Sequence, residues 1–192
     1  LASRIGTACG QYFQNYNLPG NISPNQFDYF HELIAHEETS TFGCPSFVDG
    51  LGIGMAIGLP PILHFAQQAL KDQVVPQVLS GDKQICLAIT EPFAGSDVAN
   101  IKCSAKFSTD GTHYIVNGVK KWITNGTFCD YFTTAVRTGG EGIGGISLFH
   151  IERQPGLSTK LIKTAYGGSA GTAYVTYENV KVPIQHVLGQ LN

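Results

Sequence analysis

The stretch ITEPFAGSD, residues 89–97, decides how this chain is organised, because it ends an apolar run over residues 85–88. A short apolar run that is followed within a few residues by proline and glycine is typical of a buried strand followed by a turn. The turn also carries two carboxylates, Glu91 and Asp97, and the hydroxyl of Ser96. A turn of this composition is either a local structural device or part of a chemical site.

The sequence pattern changes near residue 80. Residues 1–79 carry apolar side chains at helical spacing, whereas residues 80–192 contain short strand-like runs separated by turn residues. We therefore predict an α+β fold with an N-terminal all-helical domain over 1–79. Residues 80–192 are predicted to form a middle β domain, an antiparallel β-barrel or a pair of orthogonal sheets.

Several local signals place individual elements. Ser23-Pro24 predicts the start of a helix whose inner face carries the apolar residues Phe27, Phe30, Leu33 and Ile34. A second helix is predicted over residues 46–58, and Pro60-Pro61 is predicted to start a third. Asp110-Gly111 predicts a β-hairpin. Glycines at every fourth position predict close packing along one helix face: Gly50, Gly54 and Gly58.

Composition excludes several classes of function. The chain has 192 residues and a formal net charge of −2, which argues against binding to nucleic acid or to an anionic membrane. No uninterrupted run reaches about 18 apolar residues, so no membrane span is predicted. The first residue is Leu, and we expect the chain to be a fragment at both ends. Scattered cysteines without metal spacing predict free thiols in an intracellular compartment, with mitochondrion, peroxisome and cytosol left open: Cys9, Cys44, Cys86, Cys103 and Cys129.

Neither a metal site nor a hydrolase nucleophile is predicted. His31 and His36 are five positions apart, which does not align them on a helix face. The remaining histidines are isolated in the sequence: His64, His113, His150 and His186. Ser96 lacks the second glycine of a nucleophile elbow.

KKWITNG, residues 120–126, contains Trp122, the only tryptophan of the chain. A single tryptophan is most often a core residue. This one is surrounded by lysines and by Thr, Asn and Gly, which indicates that one face of the indole is solvated. An aromatic face beside hydroxyl and amide groups is what a flat, partly polar ring ligand requires.

Together these segments resemble the acyl-CoA dehydrogenase family. The resemblance is carried by ITEPFAGSD at 89–97, NGVKKWITNG at 117–126 and VKVPIQHVLG at 180–189, and it extends more weakly over residues 1–79. It implies an N-terminal helical domain, a middle β domain and a C-terminal helical domain that this sequence does not match. FAD is implied as the cofactor, lying against the middle domain.

The resemblance also implies roles for individual residues. The implied cofactor-binding residues are Leu87, Ile89, Thr90, Gly95, Ser96, Trp122, Ile123 and Thr124. In such enzymes Thr90 would bond the flavin ring, and Gly95 would allow close approach of the backbone. Ser96 would contact both the cofactor and the substrate. Trp122 and Thr124 would cover the other face of the ring, with a backbone contact from Ile123.

No residue of this sequence matches the catalytic glutamate of the family, so no catalytic residue is assigned and the chain alone is expected to be inactive. Glu91 and Asp97 are predicted to cap the turn. Phe93 replaces a residue that is often small in the family, and it is expected either to narrow the substrate entrance or to pack beneath the turn.

The implied partners are an acyl-CoA substrate, an electron-transferring flavoprotein or oxygen as acceptor, and further copies of the whole protein in a homo-oligomer. Two alternatives remain open. One is a flavin oxidase of the same superfamily, acting on acyl-CoA or on nitroalkanes. The other is a non-catalytic module for binding or assembly.

Overall fold

The computed structural model describes Tyr12 and residues 19–23, 26–165 and 167–191. The helices lie in the first part of the chain: α1, Tyr29–Ser40; α2, Pro45–Val48; a π-helical turn, Asp49–Ile53; α3, Gly54–Phe65; and α4, Gln68–Ser80. The predicted start at Ser23-Pro24 falls partly outside the described residues, since Pro24 is not among them. Helix α1 is capped instead by Asp28, whose carboxylate accepts hydrogen bonds from the backbone N–H groups of Phe30 and His31.

The two prolines at 60 and 61 lie inside α3, so the prediction that they start a helix is wrong. Each proline removes one intrahelical donor. Burial of Leu59, Ile62 and Leu63 in the core offsets that loss, because tertiary packing outweighs intrinsic helix propensity.

Residues 45–65 form 21 residues of continuous helix that are long and apolar enough, by length and composition, to cross a membrane. The prediction that the chain has no membrane span rests on uninterrupted apolar runs. The apolar run within residues 45–65 is interrupted by Asp49. The helix packs on the sheet: a Cβ at Gly58 would lie 2.9 Å from the backbone carbon of Cys86, and one at Gly54 would overlap the carbonyl of Ile85. The predicted close packing is therefore confirmed at Gly54 and Gly58, and their packing partner is the strand Ile85–Ala88.

The second part of the chain forms one eight-stranded sheet. Its strands are β1, Ile85–Ala88; β2, Ser104–Phe107; β3, His113–Ile123; β4, Tyr131–Arg137; β5, Ile146–Glu152; β6, Leu157–Leu161; β7, Ala173–Pro183; and β8, Val187–Leu188. The order across the sheet is β6-β7-β3-β2-β4-β5-β8, and β1 also pairs with β4. The α+β class is thus confirmed.

The predicted closed barrel is not supported, because the edge strands β6 and β8 do not pair with each other among the described residues. Closure requires the two edges to meet, and β8 has only two residues. The sheet is also not purely antiparallel. Strands β1 and β2 both run parallel to β4, because the β2–β3 hairpin intervenes between β1 and β4 and makes that connection a crossover.

The β2–β3 hairpin confirms the prediction at Asp110-Gly111. Phe107 pairs with Tyr114 in antiparallel register, and Gly111 has a positive φ of 70°. The Asp110 carboxylate accepts hydrogen bonds from the Ser108 hydroxyl and from the backbone N–H and hydroxyl of Thr112. These bonds lower the pKa of Asp110 to about 2.

Two apolar clusters hold the layers together. One lies within the β region and includes Phe132, Phe149 and Tyr177, and the other joins α3 and α4 to the sheet through Ile85 and Tyr131. The predicted free thiols are confirmed for the described cysteines: Cys44, Cys86, Cys103 and Cys129. Cys9 lies outside the described residues.

The predicted inward face of α1 is largely exposed. Phe30 is 73% exposed, and Leu33 and Ile34 are exposed to a similar degree. Helical spacing shows which residues share a face, but which face is covered depends on what packs against it.

Candidate functional site

The first motif, residues 89–97, directly follows strand β1 and leaves the sheet. Cys86 and Ala88 are fully buried in the strand, while Leu87 between them is half-buried. Beyond the strand, Glu91 and Ala94 exchange backbone hydrogen bonds of 3.0 and 3.3 Å and close a tight turn. Gly95, Ser96 and Asp97 are exposed, so this part of the turn is available to a ligand.

Strand β3 carries the second motif and ends in an irregularity. Its register with β7 shifts between Lys120 and Ile123, and Trp122, within that shift, has a positive φ of 62°. A bulge of this kind redirects a side chain and is frequent beside functional sites. The Trp122 side chain is 52% exposed, whereas Ile123 is buried. The predicted solvated face of the indole is therefore confirmed.

Two hydrogen bonds to backbone carbonyl groups join the motifs into one site. The backbone N–H of Lys121 donates to the carbonyl of Thr90 at 2.8 Å, and Lys120 Nζ donates to the carbonyl of Ile89 at 2.9 Å. We call the residues 87–96 and 122–124 the two-motif site. Gly95 and Ser96 have no hydrogen bond to the second motif within the described part of the chain.

A buried ion pair lies at the junction of the motifs. Lys120 Nζ donates to Oε1 of Glu91 at 2.9 Å, and both side chains are almost completely buried. The other contacts of the carboxylate are the backbone N–H groups of Lys102 at 2.7 Å and Cys103 at 2.9 Å. A buried charge is tolerated when it is paired and hydrogen-bonded in this way.

This arrangement corrects the predicted turn-capping role of Glu91. The side-chain partners of Glu91 lie on β3 and on the segment before β2, not in its own turn. Asp97, in contrast, acts locally: it precedes the 3₁₀ turn Val98–Asn100 and accepts a hydrogen bond from the Asn100 side chain at 2.6 Å.

Three hydroxyl groups of the two-motif site are free to meet a ligand. Thr90, Ser96 and Thr124 make no side-chain hydrogen bond to any described residue, and the two threonines are half-buried. Unpaired hydroxyls at a partly covered surface can donate to or accept from the polar edges of a bound ring.

The packing of the protein itself does not require glycine rather than another residue at position 95. A Cβ at this position would meet nothing within 4 Å, and its φ is not in the left-handed region. Close approach of a ligand to the backbone would account for the glycine. The free hydroxyls are polar groups of the kind that the edge of a flavin ring requires, and the half-exposed indole offers the aromatic face that such a ring can lie against.

The two aromatic residues of the site differ in their surroundings. Lys121 Nζ lies 4.7 Å from the centroid of the Trp122 ring and 5.3 Å from that of Tyr174, which orients the indole by a cation–π contact. Phe93 is 60% exposed, with Lys102 Nζ 5.1 Å above its ring. Of the two expectations for Phe93, packing beneath the turn is therefore wrong.

Sequence reasoning overlooked two residues that hold the site in place. In the sequence alone, Lys120 is recognisable only as a polar neighbour of the tryptophan. Asn125 is buried with a positive φ of 66°, and its Nδ2 donates to the carbonyl of Gly50 at 2.7 Å, which ties the second motif to the helical region. The Asn-Gly pair at 125–126 was the available signal, because asparagine tolerates this backbone region.

Comparison with known families matches both parts of the chain. A family model described as "Acyl-CoA dehydrogenase, middle domain" matches residues 86–180, and one described as "Acyl-CoA dehydrogenase, N-terminal domain" matches residues 13–82. The chain belongs to the acyl-CoA dehydrogenase family. The two-motif site lies within the region matched by the middle-domain model.

Individual acyl-CoA dehydrogenases agree with this assignment. Acyl-CoA dehydrogenase AFT10-1 of Alternaria alternata is 40% identical over 187 residues, covering 97% of this chain and 43% of the relative. Acyl-CoA dehydrogenase apdG of Emericella nidulans is 42% identical over 170 residues, covering 88% and 39%. The chain thus spans about two fifths of these relatives.

Among solved structures, an acyl-CoA dehydrogenase complexed with FAD from Bacillus anthracis superposes with a TM-score of 0.67 at 32% identity. The superposition covers 76% of this chain and 26% of that structure.

Proposed function

We propose that this chain contributes the flavin-facing part of an FAD-dependent acyl-CoA dehydrogenase, which oxidises an acyl-CoA thioester to the trans-2-enoyl-CoA. The observation that carries the proposal is the direct joining of the two motifs at Lys121 N and Thr90 O, 2.8 Å apart. That contact brings free hydroxyls and a half-exposed indole to one surface.

Bound FAD would supply the acceptor for the hydride that leaves the β-carbon of the substrate. The protein's part is to bind, orient and shield. Thr90 and Thr124 would donate hydrogen bonds to the polar edge of the ring, and neutral donors placed there stabilise developing negative charge. Trp122 would cover the ring and exclude water, while Ser96 would contact both cofactor and thioester.

The proton on the α-carbon requires a base from outside the two-motif site. Glu91 is buried and engaged by Lys120 and two backbone N–H groups, so it is not accessible to a substrate. Asp97 is exposed and bonded to Asn100. We therefore propose that the base is the glutamate that the family carries in its C-terminal helical domain, and that this chain alone does not turn over substrate.

The remaining partners follow from the family. We propose an electron-transferring flavoprotein as electron acceptor and a homo-oligomer as the state of the whole protein.

The exposed ring of Phe93 beside the turn would narrow the substrate entrance and favour a slender acyl chain over a branched one.

Flavin binding is tested first, by adding FAD to the purified chain and recording the quenching of flavin fluorescence and the visible absorption spectrum. Saturable binding is expected, and its absence both here and in the whole protein would refute the cofactor assignment.

With the whole protein, acyl-CoA should reduce an artificial acceptor without oxygen uptake. Equal use of oxygen would identify an oxidase, whereas flavin binding without reduction by any acyl-CoA would identify a binding module.

A further inference from the structure

A histidine pair that is isolated in the sequence is brought together by the fold, at a place distinct from the two-motif site. His150 lies on β5, and His186 lies in the 3₁₀ turn Ile184–His186 between β7 and β8. Their ring centroids are 5.2 Å apart. Histidines that are isolated in the sequence therefore meet in the fold, because pairing of β5 with β8 carries the turn to the end of β5.

Glu152 completes a cluster with these histidines. Side chains two positions apart on a strand share a face, so His150 and Glu152 project from the same side of β5. The ligand-type atoms of His150, Glu152 and His186 all lie within 4.8 Å of one another. They line a cavity of about 380 Å³ that is also bordered by Gln73 and Lys181.

The buried imidazole of His150 lacks the hydrogen-bond partners that a buried polar group normally has. Its side chain is fully buried, and neither ring nitrogen has a hydrogen-bond partner. Buried polar atoms of native proteins are almost always satisfied, and an orphan usually points to an unseen water or ion.

We propose that His150, Glu152 and His186 form a divalent transition-metal site that binds Zn²⁺. Two imidazoles and one carboxylate are an established zinc ligand set, with water in the fourth position. Tetrahedral ligands about 2.1 Å from the metal lie about 3.4 Å from one another. The three donors therefore need to approach one another by up to about 1.4 Å, which rotation of the half-buried Glu152 and His186 side chains can supply.

The surroundings support a structural role for the metal. Gln73 Nε2 lies 3.4 Å from Glu152 Oε1, and this contact orients the carboxylate from helix α4. A bound metal would thus link β5, the β7–β8 connection and, through Gln73, the helical region. Lys181 has a flexible stem that allows its ammonium group to move into solvent when a cation enters.

Zinc binding is tested by calorimetric titration of ZnCl₂ into the tag-free chain after treatment with a chelator. One Zn²⁺ per chain is expected. Removing a ligand costs more than removing a residue that merely orients one, so Glu152→Gln and His186→Ala should each weaken binding by more than about 100-fold. His150→Ala should do the same if it folds, and the two half-buried variants provide the test if it does not.

His64→Ala is the matched control, because His64 is an exposed histidine outside the cluster. It should retain the wild-type affinity and stoichiometry. The proposal is overturned if the chelator-treated chain binds no Zn²⁺ stoichiometrically, if Glu152→Gln and His186→Ala both bind as tightly as the wild type, or if His64→Ala loses binding. None of these measurements depends on flavin or on acyl-CoA turnover.

Discussion

Lys120 Nζ lies 2.9 Å from Oε1 of Glu91, and neither side chain is more than 1% exposed. The pair connects β3 to the turn that follows β1, so it fixes the two motifs of the two-motif site relative to each other. Glu91 belongs to a motif that suggests acid–base chemistry, yet its carboxylate serves as an anchor for backbone and side-chain donors.

Lys120→Met is expected to lower the free energy of unfolding by about 3–5 kcal/mol, because it leaves the Glu91 carboxylate buried without its counter-ion. Urea denaturation followed by circular dichroism measures the change. Lys121→Met is the matched control: this neighbouring lysine contacts the Trp122 ring, and its loss should cost only about 1 kcal/mol. Equal effects of the two substitutions would contradict the role given to the pair.

Gly95→Ala should leave the stability of the chain unchanged or raise it by up to about 1 kcal/mol, since the added Cβ meets nothing and restricts the unfolded chain. The same substitution should weaken FAD binding, measured by flavin fluorescence, by obstructing the backbone approach. Gly54→Ala provides the contrast, because its Cβ would overlap the Ile85 carbonyl and should cost about 1–3 kcal/mol of stability. A Gly95→Ala chain that binds FAD normally would remove Gly95 from the site.

Trp122→Ala is expected to weaken FAD binding by about 2- to 12-fold, which corresponds to the 0.5–1.5 kcal/mol of an aromatic pair. Because the ring is half exposed, the unfolding midpoint should change little. Trp122→Phe should restore part of the affinity, and Phe107→Ala, at another exposed aromatic residue, should have no effect. Unchanged flavin occupancy in Trp122→Ala would place the ring elsewhere.

Asp110 makes the β2–β3 hairpin sensitive to acid. Its hydrogen bonds to Ser108 and Thr112 hold its pKa at about 2, below the usual 3.8, so the native state binds fewer protons than the unfolded state between these values. The stability contributed by the carboxylate is present above pH 3.8 and is lost as the pH falls towards 2. The difference in urea midpoint between wild type and Asp110→Asn should therefore shrink over this interval. A constant difference down to pH 2 would show that the charge is not responsible.

The exposed face of α1 is expected to bind a hydrophobic dye. Phe30→Ser and Ile34→Ser together should reduce dye fluorescence without lowering the free energy of unfolding by more than about 1 kcal/mol, because both side chains are already solvated. Leu59→Ser, at a fully buried position, should instead destabilise the chain and increase dye binding. If the α1 variants do not alter dye binding, the apolar surface that binds the dye lies outside α1.

Local features could be predicted from the sequence because neighbouring residues determine them. The Asp-Gly turn, the Asp97 position before a 3₁₀ turn, the solvated indole face and the glycines that contact β1 are all visible in short segments. Predictions failed where burial or register decides the outcome. Pro60-Pro61 remains helical because α3 is packed, and the sheet is open because its edge strands β6 and β8 do not pair among the described residues.

The sequence by itself determined the family, through the motifs at 89–97 and 120–126, and it determined the change from helices to strands. Only the tertiary structure decided which residues meet. Glu91 and Lys120 are 29 positions apart, and Thr90 reaches Lys121 only because β1 and β3 lie in the same sheet. The same reason applies to His150 and His186: strand pairing sets contacts between distant residues, and no local pattern in the sequence specifies that register.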